Sequence, residues 1–267
     1  MLTDYHWHTA RCGHAAGAME EYLARAAALD LKEVGFADHL PQYFLPPARR
    51  DPELAMPDEE LPRYVAAVRE LQETHPGLRL GIEADYIPGR EKELADILAG
   101  HPFDYVIGSV HHIDDWEFDH PDLIDRYSQN DLLDLYRLYF DLVARSAASG
   151  LFDIIAHPDL IKKFGFRPAA DLTDLYRETA RALARAGVCV EVNTAGLFYP
   201  AAEIYPAYGF LALCRGMGVP AALGSDAHAP GQVGRCFDQA VTLLRQAGYD
   251  RLAVFRERKR SYVQLWR

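Results

Sequence analysis

Short runs rich in β-branched and aromatic residues alternate along the chain with stretches whose apolar positions recur at helical spacing. LTDYHWH opens the chain as a strand. Helical spacing follows over about residues 19–29, with Tyr22, Leu23, Ala26 and Ala27 on one face. VGFADH reads as the next strand, and a loop marked by Pro46, Pro47, Pro52 and Pro57 separates it from a helix over about 58–74, which Asp58 would N-cap. The alternation continues with strand LRLGIEADY, helix 90–98, strand FDYVIGSVHH, and helix 130–148, which Gly150 stops. Strand DIIAHPD, helix 171–186, strand VCVEVNT, helix 206–217, strand VPAALGSDAH and helix 237–246 complete it.

Strands spaced in this way, with a helix after each, indicate βαβ units and a parallel sheet. Seven β/α units fit the chain without a linker, an internal repeat or a shift of composition, so residues 1–267 read as one domain. A seven-stranded (β/α)7 barrel of TIM type is the preferred closure, with an open doubly wound sheet as the alternative.

Composition narrows the function classes. With 49% hydrophobic and 25% charged residues, the chain has the profile of a soluble globular protein, and no apolar run is long enough for a membrane helix. The N-terminus lacks the basic and apolar regions of a secretory signal. Cys12, Cys189, Cys214 and Cys236 are scattered without paired spacing, as expected of reduced thiols in a cytoplasmic protein. The net charge of −11 argues against a nucleic-acid partner, which needs a basic footprint.

The polar residues that end the strands carry the chemistry. His6 and His8 close the first, and alternation puts both on one strand face, with Tyr5 and Trp7 on the other as core. His39, Glu83, His111 and His157 end later strands, Asp226 and His228 end the last, and His14 follows in the first loop. In a β/α barrel this C-terminal rim is where active sites are built. Core packing does not call for such a pattern, and burying these ionisable groups together would be costly without cations. The remaining histidines His75, His101, His112 and His120 carry no such signal. Nine candidate ligands exceed the roughly four of a single zinc ion and suit two or three ions, with Glu83 or Asp226 able to bridge. Such clusters polarise phosphoryl oxygens and supply hydroxide at neutral pH, which points to phosphate-ester hydrolysis.

The segments HWHTARCGHA, FADHLP, GIEADYIPG, GSVHHIDDWEFD, AHPDLIKKFG, EVNTAG and GSDAH together resemble the PHP (polymerase and histidinol phosphatase) superfamily over nearly the whole chain. GSVHHIDDWEFD, GIEADYIPG and HPDLIKKFG resemble its histidinol-phosphate phosphatases in particular. The resemblance implies a distorted seven-stranded barrel and a trinuclear site of three divalent ions, Zn, Fe or Mn. It implies His6, His8, Glu83 and Asp226 at a first metal, and Glu83, His111 and His157 at a second. His14, His39 and His228 would hold a third. The implied substrate is L-histidinol phosphate, attacked by a metal-bridging hydroxide, with Glu83, Asp226 and His228 as catalytic candidates; a homo-oligomer is left open.

Candidates for substrate contact follow from charge and position. Lys162 and Lys163 directly follow the fifth strand and suit a phosphate, with Arg11 and Arg235 as weaker candidates. In the loop DDWEFD, the acids Asp115 and Glu117 suit the substrate's cationic end and Trp116 its imidazole. Asn193 ends a strand near the rim, within reach of a bound water or substrate. The alternatives are a PHP nuclease or other phosphoesterase, a non-enzymatic metal-binding module, and an amidohydrolase, which shares HxH but bridges its metals through a lysine.

Overall fold

Strands buried on both faces by flanking helices pair in parallel and read as continuous apolar runs. The computed structural model, which describes residues 2–265, contains seven of them in chain order. They are β1 (Thr3–Trp7), β2 (Glu33–Phe36), β3 (Leu78–Asp85), β4 (Tyr105–Ser109), β5 (Ile154–Ile155), β6 (Cys189–Asn193) and β7 (Ala221–Gly224). Each pairs in parallel with the next. A parallel bridge between Trp7 and Ala227 joins the last strand's end to the first. There the His8 N–H donates to Ala227 O at 2.9 Å and the Ala227 N–H to His6 O at 3.0 Å. Asp4 replaces missing ladder bonds, accepting from the N–H groups of Ser225 at 2.8 Å and Gly234 at 3.0 Å. The result is a nearly closed, distorted (β/α)7 barrel, not an open sheet.

One helix follows each strand: α1 (Met19–Ala28), α2 (Glu60–Thr74), α3 (Glu91–Ala99), α4 (Leu132–Ala148), α5 (Thr173–Ala186), α6 (Tyr208–Gly216) and α7 (Phe237–Gln246). Helix α1 buries Met19, Tyr22, Leu23 and Ala26, whereas Ala27 turns outward. Asp58 does not cap α2; it pairs with Arg50 instead, and Glu59 takes the cap position without a side-chain bond. Asp131 caps α4, accepting from the Asp134 N–H at 3.0 Å.

Inside the barrel, Tyr5, Tyr105, Ile107, Ile154, Cys189 and Ala222 form a core distinct from the layer under the helices. Tyr105 crosses it and donates to Tyr5 O at 2.6 Å. It fits only because position 81 has no side chain: a Cβ there would lie 2.2 Å from the ring. A register shift in β1 puts Tyr5 in this inner core while Trp7 packs outward on Tyr22 and Phe36, so the two do not share a face. A C-terminal hairpin that the sequence pattern did not announce, β8 (Arg251–Arg256) with β9 (Lys259–Gln264), plugs the barrel end away from the rim. Its Phe255 N–H donates to Tyr5 Oη at 3.0 Å, and its Arg258 N–H reaches Asp104 O, just ahead of β4, at 2.8 Å. The interior is thus filled from below, and only the C-terminal ends of the strands open to a cavity.

Candidate metal centre

Six of the seven strands deliver a histidine or carboxylate to that open end. His6 lies within β1 and His8 just beyond it; His39 follows β2, Glu83 lies within β3, His111 follows β4, His157 follows β5, and Asp226 and His228 follow β7. His157 and Asp226 adopt left-handed backbone conformations, with φ of 50° and 52°. Aspartate and histidine are among the non-glycine residues that tolerate this region.

Glu83 is the hub. Its Oε2 lies 3.2 Å from His6 Nε2, 3.6 Å from His8 Nε2 and 3.1 Å from His39 Nδ1. Its Oε1 lies 3.1 Å from His157 Nε2 and 3.8 Å from His111 Nε2. The two oxygens therefore face two different sets of imidazoles. Asp226 Oδ1 joins the first set, 3.2 Å from His8 Nε2 and 3.9 Å from His6 Nε2. Two donor groups compact enough for an ion are His6, His8 and Glu83, and Glu83, His111 and His157. A third combines His8, His39 and His228, and a fourth, behind His8, combines it with Cys12 and Asp38. His14 approaches the third group by ring contacts, 4.8 Å from His228 and 5.4 Å from His39 between centroids. Its Nδ1 is engaged by the Glu53 carbonyl at 2.8 Å, and its Nε2 lies 3.9 Å from Cys12 Sγ.

The far sides of three imidazoles also face carboxylates, in the manner of carboxylate–histidine–metal triads. His6 Nδ1 meets Glu191 at 2.7 Å, His111 Nδ1 meets Asp85 at 2.9 Å, and His8 Nδ1 lies 3.6 Å from Asp38. Asn193 Nδ2 donates to Glu191 at 3.0 Å and to Asp226 at 3.3 Å, so this residue orients the carboxylates instead of facing the cavity. Ser109 donates to Glu83. None of Glu191, Asp38, Asp85 and Ser109 stood out in the sequence. The two-residue spacing of Glu83 and Asp85, and of Glu191 and Asn193, was the available signal: alternation puts each pair on one face. Gly224 makes the His6–Glu191 contact possible, since a Cβ there would lie 2.3 Å from Glu191 Oε1 and 2.8 Å from His6 Cβ.

The electrostatics match the geometry. Burial pushes the Glu83 and Asp226 carboxyls up, but the imidazoles outweigh it, chiefly His6 in both cases, and hold both groups well below the usual carboxylate range. Burial and neighbouring His8 push His228 down to about 3, and His39 is likewise held well down. These two rings are neutral, the state a ligand needs. His6, His8 and His111 go the other way against their burial: Glu191 and Glu83 hold His6 well up, Asp226 and Asp38 do so for His8, and Asp85, Asp119 and Glu83 take His111 to about 10. Among the described residues, His6 Nε2, both ring nitrogens of His8 and Glu83 Oε2 are buried without a hydrogen-bond partner. Orphaned atoms of this kind, with His6 Nε2 and His8 Nε2 both turned to Glu83 Oε2, fit divalent cations.

The profile of the PHP domain matches residues 4–195. The chain belongs to the PHP domain family. A protein of Deinococcus radiodurans named "probable histidinol-phosphatase" is 42% identical over 97% of this chain and 98% of its own length. The histidinol-phosphatase of Lactococcus lactis is 27% identical over 94% of this chain and 93% of its own. The crystal structure of a histidinol phosphate phosphatase from the same species, complexed with zinc, L-histidinol and phosphate, shares the fold. It superposes with a TM-score of 0.82 at 23% identity, covering 97% of this chain and 98% of that one.

In this PHP domain the histidines and carboxylates floor a cavity of about 830 Å3. Among the candidate substrate contacts, Lys163, Glu117 and Arg235 line it. Lys163 donates to Asp119 O at 2.9 Å, with its Nζ 4.7 Å from the centre of the Tyr199 ring. Arg235 lies over Phe198 and donates to the carbonyls of Ser225 and Asp226. The others are placed elsewhere. Lys162 is buried against Asp159 at 2.7 Å and Glu203 at 2.8 Å. Trp116 is 1% exposed, packed on Tyr127 and Phe118, with Nε1 donating to Leu123 O at 3.2 Å. Asp115 pairs with Arg126 at the surface, and Arg11 pairs with Glu60 at 3.3 Å. His112, passed over as a candidate, lines the cavity, as do Asp119 and Tyr205. All four cysteines are free, and among the described residues no helix is long and apolar enough to cross a membrane.

Proposed function

We propose that this protein hydrolyses L-histidinol phosphate to L-histidinol and phosphate, a step of histidine biosynthesis, at a cluster of three divalent metal ions. The observation that carries this reading is the Glu83 carboxylate, whose two oxygens each face a separate set of imidazoles at the floor of a cavity. The naming of a 42% identical relative supports the substrate.

His6, His8, Glu83 and Asp226 would hold one ion, Glu83, His111 and His157 a second, and His14, His39 and His228 a third. All donors are nitrogen or oxygen, which suits zinc, iron or manganese. Bound divalent ions would polarise the phosphoryl oxygens and lower the pKa of water to near 7, supplying the nucleophile. The chain's own groups do the positioning. Glu191 and Asp85 grip the outer nitrogens of His6 and His111, fixing which nitrogen faces inward. Asn193 holds Asp226. Lys163 and Arg235, on the cavity wall, add positive charge for a phosphate dianion. Cys12 bonds Thr9 O at 3.2 Å and belongs to the packing beneath His8 and His14.

Phosphate release from a panel of esters tests the proposal. L-histidinol phosphate should surpass p-nitrophenyl phosphate in kcat/KM by about a hundredfold or more, given a cavity built for a polar substrate. Single-stranded DNA should not be cut. Preference for DNA, or for another ester, would contradict the reading.

A further inference from the structure

We infer that the loop between β2 and α2 is a strap that positions His14 through the main-chain carbonyl of Glu53, and so governs one metal ion separately from the others. The inference rests on the metal reading above and gives a role to a loop that this reading leaves unused.

His14 differs from the other eight candidate ligands. They lie on strands or within a few residues of strand ends and are buried or half-buried, whereas His14 lies farther along a loop and is exposed. Where His6 and His111 meet carboxylates, His14 Nδ1 meets the carbonyls of Glu53 at 2.8 Å and Cys12 at 3.0 Å. Carbonyls only accept, so Nδ1 of the neutral ring carries the proton and Nε2 the lone pair that a metal takes.

Glu53 reaches His14 because position 13 has no side chain. Gly13 holds φ 86°, and a Cβ there would lie 2.1 Å from Pro52 O and 2.6 Å from Glu53 Cα. The strap is fastened at both ends. Tyr43 Oη donates to Asp85 O at 2.8 Å, and Ala55 and Met56 are buried. Its middle, residues 46–49 and 51–53, is exposed. There the Asp51 N–H donates to Oε1 of buried Gln42 at 2.7 Å, and Arg50 donates to Leu45 O and pairs with Asp58. The backbone after His14 is held from the other side, where the Ala16 N–H donates to His228 O at 2.8 Å. The strap therefore adds the orientation of the ring, since an exposed side chain reorients rapidly unless a bond holds it. The ion of His14, His39 and His228 is the one whose affinity follows the strap; the other donors are fixed by the barrel.

The test titrates the zinc-loaded protein with a chelator and counts bound zinc at each step. Wild type should release one ion before the others. In Gly13→Ala and in Gln42→Leu, the dissociation constant of that ion should rise about ten- to a hundredfold, while the others move by less than about twofold. Gln42→Leu changes only the fastening of the strap, so it separates the effect from strain at the Gly13 backbone. His14→Ala should lose the same ion, and Gly13→Ala added to it should change nothing further. Release of all ions together from the wild type, equal weakening of all of them in the variants, or unchanged affinity of the first ion in either variant overturns the assignment. The count needs no substrate. A protein with this release pattern that fails to hydrolyse L-histidinol phosphate supports the strap and overturns the functional reading.

Discussion

Lys162 and Lys163 are adjacent in sequence and turned to opposite environments. Lys162 Nζ sits in the protein between Asp159 and Glu203, both within 2.8 Å, while Lys163 Nζ lies on the cavity wall over Tyr199. Sequence places both after the fifth strand; only the packing assigns one to the fold and the other to the site.

The two lysines therefore separate stability from turnover. Lys162→Met leaves Asp159, itself fully buried, without its cation, and removing one partner of such a pair costs about 3–5 kcal/mol. Denaturant unfolding should show a loss of that order. Lys163→Met, whose partner Asp119 keeps some access to the cavity, should cost less stability than Lys162→Met and lower kcat/KM for phosphate esters by about tenfold or more, because it removes a cation from the cavity. A stable Lys162→Met protein, or an unimpaired Lys163→Met enzyme, would show the assignment to be reversed.

Glu83→Gln preserves shape and removes the charge shared between the two imidazole sets. Turnover should fall by about a hundredfold or more, with at least one metal ion lost per chain. Metal analysis and kcat, measured on the same sample, check this. Wild-type values for both would make Glu83 a packing residue.

Gly224→Ala tests the support beneath the ligands. The added methyl would meet Glu191 Oε1 at 2.3 Å and His6 Cβ at 2.8 Å, so Glu191 must leave His6 Nδ1. Metal affinity should drop by about ten- to a hundredfold, the range for lost partners behind a ligand. Metal titration reads the outcome, and unchanged affinity would show that Glu191 does not orient His6.

The ligand positions were legible because strand ends are short, local and one-sided: a polar residue closing an apolar run can only face the rim. What lay behind them was less so. Asp85 and Glu191 obey the same alternation as His6 and His8, but each sits beside a more conspicuous residue, Glu83 or Asn193, and its partner comes from another strand. The loop DDWEFD misled for a different reason. The turn at Asp114 makes it a ribbon, and alternation along a ribbon sends Trp116 inward whenever Glu117 faces the cavity. The β8–β9 hairpin escaped notice because β9, largely exposed, has no apolar run of its own; its order comes from pairing with β8, whose Leu252 to Phe255 fill the barrel's lower end.

Trp116 and Asp115 follow from that ribbon. Trp116→Ala should destabilise by about 3–5 kcal/mol, as expected for a large buried aromatic. Asp115→Asn, whose surface pair with Arg126 is worth about 1 kcal/mol at most, should leave kcat/KM within about twofold of wild type. Thermal unfolding and steady-state kinetics check both. A selective loss of L-histidinol phosphate turnover in Asp115→Asn would return that residue to the site.

The central claim, that the imidazole–carboxylate cluster holds the metal ions that make this chain a histidinol-phosphate phosphatase, has one direct measurement. Phosphate release from L-histidinol phosphate is followed before chelation, after it, and after metal is restored, with metal content determined at each stage. The account predicts about two to three ions per chain at full activity, loss of activity and a lower melting temperature on chelation, and recovery of both with metal. Full phosphate release by the metal-free protein would contradict it.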